Sequence, residues 1–195
     1  MPFDKEEEDF FSFFVKNFKP GNDLIKPNED IIKKLESIVP QQLVKFWKEY
    51  GFGNYGDGII KVINPFDYTE SLYTWLGGED KNKVPIMLTA FGDIFYYRKI
   101  TDTEDDVCLL DIHYKNINVC SYSFSEFFED YLLDEDIQND ILRKPLFLEA
   151  KEKEGELKLN EIFLFTPALA IGGAEELKYI KKGDAAVHQN LLLQL

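Results

Sequence analysis

The sequence predicts an α+β fold: a central antiparallel sheet flanked by N- and C-terminal helices. Three observations predict it. Short β-branched and aromatic runs crowd the middle of the chain with short connections, which favours antiparallel pairing. The segments on either side carry apolar residues at helical spacing. With 195 residues, 45% hydrophobic and 15% aromatic, the chain can bury a core without disulfide staples and is neither disordered nor of low complexity.

Taken in order, Phe10, Phe11, Phe14 and Phe18 fall on one face of a helix from Glu6 to Phe18 with an acidic first turn, as the helix dipole favours. Lys19-Pro20-Gly21-Asn22 ends it. A second helix opens near Pro27-Asn28, uses Ile31, Ile32, Leu35 and Ile38 as its apolar stripe, and stops before Pro40. A third runs from Gln41 to Tyr50, with Gly51 as C-cap. Phe52 to Gly58 holds three glycines and reads as a tight turn or loop. Ile59 to Ile63 reads as a strand. Asn64 as N-cap and Pro65 at the first helical position open a helix to about Leu76, ended by Gly77-Gly78.

Four strands are expected at Val84 to Ala90, Ile94 to Lys99, Val107 to His113 and Ile117 to Tyr122. Phe91-Gly92-Asp93 turns between the first two, and Lys115-Asn116 between the last two. Ser123 or Ser125 caps a helix carrying Phe127, Phe128, Tyr131 and Leu132. Further helix is expected over Glu135 to Arg143 and Pro145 to Glu154. A last strand is expected within Leu157 to Phe165, then short terminal helices over Ala174 to Tyr179 and Asp184 to Leu195. There is no internal repeat and no linker longer than a loop. The reading is one compact domain over 1–195, divisible into lobes at 1–100 and 101–195.

The N-terminus is acidic where a signal peptide would be basic, and no apolar run approaches the roughly 20 residues of a membrane span. Two cysteines, Cys108 and Cys120, make no disulfide framework; they are read as buried thiols or a pair facing each other across a hairpin. A cytoplasmic protein without a membrane partner is therefore expected. The signatures of P-loops, dinucleotide folds and nucleophile elbows are absent; Gly51 to Gly56 has glycine spacing in the wrong helix-to-strand order. Asp111 and His113 alternate onto one face of a strand, and Asp184 and His188 stand one helical turn apart. A metal or hydrolase site could draw on these, but scattered ligands with no C-x-x-C or H-x-x-x-H make a weak case. No cofactor is expected.

Charge is the stronger signal. Lys plus Arg is 22 against 36 Asp plus Glu, a net charge of −14. That balance does not suit a nucleic-acid partner. Asp102 to Asp140 carries twelve acids and one base, Lys115, so a fifth of the chain holds most of the net charge. A solvated face is the plain reading. The alternative is a docking surface for a basic protein, formed by Asp102, Glu104, Asp105, Asp106, Glu126, Glu129, Asp130, Asp134, Glu135 and Asp136. Tyr114, Tyr122, Phe124, Phe127, Phe128 and Tyr131 lie in the same strip, and any left exposed would serve as anchors. A calcium loop at Asp102 to Asp106 lacks the spacing and the glycine of that motif.

Several motifs resemble a known family. The run PQQLVKFWKEYGFG (Pro40 to Gly53), then Tyr55-Gly56-Asp57-Gly58, Asn64-Pro65 and Thr89-Ala90-Phe91-Gly92-Asp93-Ile94-Phe95, resembles the GAD-like domain of bacterial immunity proteins. Phe165 to Gly173 (FTPALAIGG), Asp184-Ala185-Ala186-Val187-His188 and the Leu-rich end resemble the C-terminal region of immunity proteins that neutralise type VI secretion DNase toxins. The family is distantly similar to the superfamily named after the yeast regulator of cell-wall glucan synthesis. The resemblance implies a non-enzymatic inhibitor whose partner is a cognate toxin with a basic effector domain, expected to be a nuclease. A regulatory protein-binding module is the alternative, and a small hydrolase built around Asp111, His113 or His188 a third.

Overall fold

The computed structural model describes residues 10–195. Helix α1 (Phe10–Asn17) buries Phe11 and Phe14, and Phe18 just beyond it; the expected start at Glu6 lies outside the described residues. Helix α2 (Glu29–Leu35) is capped by Asn28, whose Oδ1 accepts from the Ile31 amide at 2.8 Å. Helix α3 (Gln41–Glu49) buries Leu43, Val44, Phe46 and Trp47. Helix α4 (Pro65–Leu76) has the expected ends: Asn64 as N-cap, Pro65 in the first turn, and Gly77 in the left-handed region.

The sheet is a six-stranded antiparallel meander in sequence order: β1 (Gly53–Tyr55), β2 (Ile60–Val62), β3 (Lys83–Thr89), β4 (Ile94–Lys99), β5 (Asp105–Asp111) and β6 (Asn116–Ser121). The glycine-rich stretch expected to be a loop supplies β1. It forms a strand because it pairs with β2 and because Pro20 and Ile25 bridge to Tyr55 and Phe52 on its other side. Gly53 has φ 146°, which residues with a side chain rarely adopt, and a Cβ there would also meet Leu24 Cδ2 at 2.5 Å, so the position favours glycine. Residues 20–25 thus cover one edge of the sheet. The other edge, β6, has no outer strand partner among the described residues.

Two irregularities set which side chains share a face. A bulge between Pro85 and Met87 puts Ile86 and Met87 in the same cluster. A second shift places Val107 opposite Ser121 and Cys108 opposite Val119, so Cys120 is the extra residue and does not face Cys108. Both thiols are unpaired. Elsewhere the period-2 pattern holds: Phe95, Tyr97, Val107 and Leu109 face one layer, and Ile94, Tyr96, Cys108 and Leu110 the other.

The chain then forms α5 (Phe124–Glu129), α6 (Glu135–Asp140), α7 (Lys144–Glu154), β7 (Glu161–Phe165), β8 (Ile180–Asp184) and α8 (Ala185–Leu193). β7 is not the last strand, as the sequence suggested: it pairs antiparallel with β8, and the stretch expected to be helix before it is a short 3-10 turn, Leu177–Tyr179. β7 is anchored to the large sheet by the Phe163 amide, which donates to the Ala90 carbonyl at 2.8 Å. On one face of the sheet α1, α3 and α5 share an aromatic core. Phe11 stacks on Phe46 at 4.4 Å and meets Phe128 edge-on at 4.7 Å. On the other face Tyr68 and Leu72 of α4 pack with Ala185 and Leu192 of α8 and Ile162 of β7. No helix among the described residues is long and apolar enough to cross a membrane.

Candidate interaction surface

The ten acids of the candidate docking surface fall into two places. The first is the tight turn from β4 to β5, where the Thr101 hydroxyl accepts from the Thr103 and Glu104 amides. Here three of the four acids have partners. Asp106 is 1% exposed and receives both Nε and Nη2 of Arg98, its cross-strand neighbour. Asp105 is half-buried and accepts from the Phe124 amide at 3.0 Å, tying α5 to the sheet. Asp102 is exposed but sits 2.8 Å from Lys99, which holds its carboxyl below the usual range. Glu104 is exposed. Asp102, Glu104 and Asp105 line one hollow together with Ser37 to Pro40, and Asp106 does not reach it.

The second place is built by β6, α5 and α6. Ser123 caps α5, its Oγ accepting from the Glu126 amide at 3.2 Å, and Asp134 caps α6, its Oδ1 accepting from the Ile137 amide at 3.0 Å. The apolar side of α5 (Phe124, Phe127 and Phe128) is buried, as is Leu132 in the 3-10 turn that follows it, whereas no residue of α6 is fully buried. Glu126, Glu129, Asp130, Asp134, Glu135 and Asp136 are all exposed. None of the six makes an ion pair with a described residue. Four of them, Glu126, Asp130, Asp134 and Asp136, line an open groove of about 570 Å³ with Tyr122, Tyr131 and Ile137. Tyr122 is 83% exposed at the rim. Ile117 and Val119 also stand out on β6, opposite Leu110 and Cys108 and so on the sheet face away from α5.

The surface combines carboxylates without ion pairs, an exposed tyrosine and, along β6, strand backbone with no outer strand partner among the described residues. Such an edge is a liability unless it is protected or used. Sequence reasoning found the carboxylates but not Ile117 and Val119, because apolar residues in a strand read as core.

The histidines come together elsewhere. His113 lies just past β5 rather than within it, and its Nε2 is 2.9 Å from the Phe91 carbonyl oxygen. Its ring centroid is 6.2 Å from that of His188, and both rings are buried. Asp111 Oδ1 accepts from the His113 and Tyr114 amides, and burial raises its carboxyl pKa. Asp184 is the N-cap of α8, accepting from the Val187 amide at 3.0 Å, so it is not the helical partner of His188 that the spacing suggested. No trio of His, Cys, Asp or Glu among the described residues is placed to hold a metal. Burial, and then the neighbouring His113, push His188 down from 6.5 to about 4. Its neutral form therefore supports the fold above pH 6.5, and that support is lost as pH falls toward about 4. Denaturant melts from pH 7 to 4.5 should show a loss that His188→Gln reduces by about 2 kcal/mol; an unchanged slope in the variant would refute this.

Beside them lies a buried ion cluster. Arg143 donates from Nη1 to Asp93 at 2.8 Å and from Nε to Glu175 at 3.0 Å, with its guanidinium carbon 5.6 Å from the centre of the Phe91 ring. Asp93 Oδ1 accepts from the Ile112 amide at 3.1 Å. These contacts join the β3–β4 turn, the α6–α7 junction and the segment before β8.

Residues 9–109 match the family model described as GAD-like domain. The chain belongs to the GAD-like domain family. Residues 121–195 of this GAD-like chain match the model described as T6SS immunity protein Tdi1, C-terminal, which supports an immunity role. The six exposed carboxylates of α5, α6 and the turn between them all lie in that segment. The GAD-like match ends within β5, so the large sheet continues past it. The crystal structure of Atu4351 from Agrobacterium tumefaciens is similar in fold, with a TM-score of 0.73 at 16% identity over 94% of this chain and 88% of that one. No curated protein matches the chain.

Proposed function

We propose that this protein neutralises a cognate toxin by binding it, without turnover, and that the toxin is a nuclease met in the cytoplasm. The contact face is the β6–α5–α6 groove. The observation that supports this reading is the set of six outward carboxylates with no ion-pair partner beside an exposed tyrosine. A nuclease must present cations to its polyanionic substrate, and carboxylates held at a rigid surface can occupy or flank the same site. Such complementarity speeds association and rejects acidic competitors. Asp102 and Glu104, across the β4–β5 turn, are assigned to the edge of the contact, and Asp105 and Asp106 to its support.

The test is binding to the toxin encoded by the neighbouring gene, with nuclease activity of that toxin as a second readout. Reversal of Glu129, Asp130 and Asp136 to Lys, which spares the Asp134 cap of α6, should slow association by about tenfold or more at low salt, with an unchanged circular dichroism spectrum. Equal rates for the variant and the wild type would sink the assignment of this face.

A further inference from the structure

Lys61 stands in β2 with 1% of its surface exposed. Its Nζ donates to Asn54 Oδ1 and to the Lys158 carbonyl oxygen. An ammonium carries three hydrogens, and no carboxylate lies within ion-pair distance of this one among the described residues. Glu161 and Asp23 act on it only at longer range. A buried cation without a counter-ion is costly, and burial pushes this amine down to about 8.

Lys61 lines a cavity of about 350 Å³ where the segment before α2, strands β1 and β2, the start of α4 and the loop before β7 meet. That volume is at the small end of ligand pockets. Its apolar walls are Ile25, Pro27, Ile31, Phe52, Val62 and Ile63. Tyr68 lines it too, and its hydroxyl has no hydrogen-bond partner among the described residues. Lys26 is occupied by the Lys48 and Glu49 carbonyls, and Asp67 by the Asn64 amide. The cavity therefore combines apolar walls, an ammonium lacking a counter-ion and a spare phenolic donor.

We propose that this cavity binds a small organic acid, its carboxylate paired with Lys61 and its short apolar body lying against Ile31 and Phe52. Tyr68 offers a second donor in the same space. The proposal is independent of toxin binding, since the cavity shares no residue with the acidic groove.

Hexanoate, 4-methylpentanoate and benzoate, with hexanol and hexylamine as controls, test it on the full chain by calorimetry and thermal shift. At least one acid should bind and raise the melting temperature where hexanol and hexylamine do not. Lys61→Met should weaken that acid about tenfold or more, and Ile31→Trp should block the cavity with the lysine intact. Where Lys61→Met does not fold, the wild type decides: binding at pH 8.5 should take up a proton, seen as a heat that differs between phosphate and Tris buffers, and binding at pH 6.5 should not. No response to any of the three acids overturns the proposal. So does an equal response to hexanol, an unchanged affinity in Lys61→Met, or the absence of buffer dependence at pH 8.5.

Discussion

Replacement of Arg143 by Met should lower the unfolding free energy by about 3–5 kcal/mol, the largest polar effect expected in this protein. Arg143 is 7% exposed and Asp93 is 1% exposed. The substitution leaves the Asp93 carboxylate in the interior without its cation, while Glu175 can turn toward water. Lysine is a poor replacement, because separate guanidinium nitrogens reach Asp93 and Glu175 in a fixed fork. The backbone adds to this: Arg143 sits in the left-handed region at φ 50°, which the surrounding contacts must hold. Chemical denaturation of Arg143→Met, Asp93→Asn and the double variant checks the argument. The double variant should recover part of the loss, because the orphaned charge is gone. Losses that simply add would show that Asp93 and Arg143 are not coupled.

Phe14→Ala should cost about 3–5 kcal/mol. Phe14 is 0% exposed, and its ring lies within 5.3–5.8 Å of those of Phe18, Phe46, Tyr55 and Phe128. Those neighbours come from the residue just beyond α1 and from α3, β1 and α5, which cannot close on the cavity together. A single cooperative transition at lower denaturant is expected by fluorescence and by circular dichroism alike. Two separate transitions would mean that α5 does not depend on α1.

Much of this fold was legible in the sequence because local chemistry and tertiary structure agree. Asn64, Pro65 and Gly77 mark the ends of α4 by satisfying or removing terminal backbone groups, and Asn28 and Ser123 do the same for α2 and α5. Strands β3 to β6 announced themselves through β-branched and aromatic runs. What could not be read depends on distant partners. Gly53 to Tyr55 has poor strand propensity and is extended because chain lies on both sides of it. Ile180 to Asp184 contains two lysines and a glycine, and pairing with β7 makes it a strand. Lys61 alternates with Ile60 and Val62 as a solvent-facing residue would, yet the loop before β7 seals it in.

The acidic strip was legible as composition but not as a surface. Nothing local distinguishes Asp106, which meets Arg98, from Asp136, which meets no cation; the β4–β5 register decides it. The proximity of His113 and His188 was invisible for the same reason, since the β8–α8 connection carries one to the other.

The shared aromatic layer has a consequence for how such proteins can change over generations. Rings from α1 interlock with rings from α5, so the two family-matched segments are not cassettes that recombination can shuffle freely. A hybrid of one front half with a foreign back half would inherit mismatched rings. New partner preferences must then arise mainly by point substitution on α6 and on the outward side of α5, with the inward side of α5 held fixed.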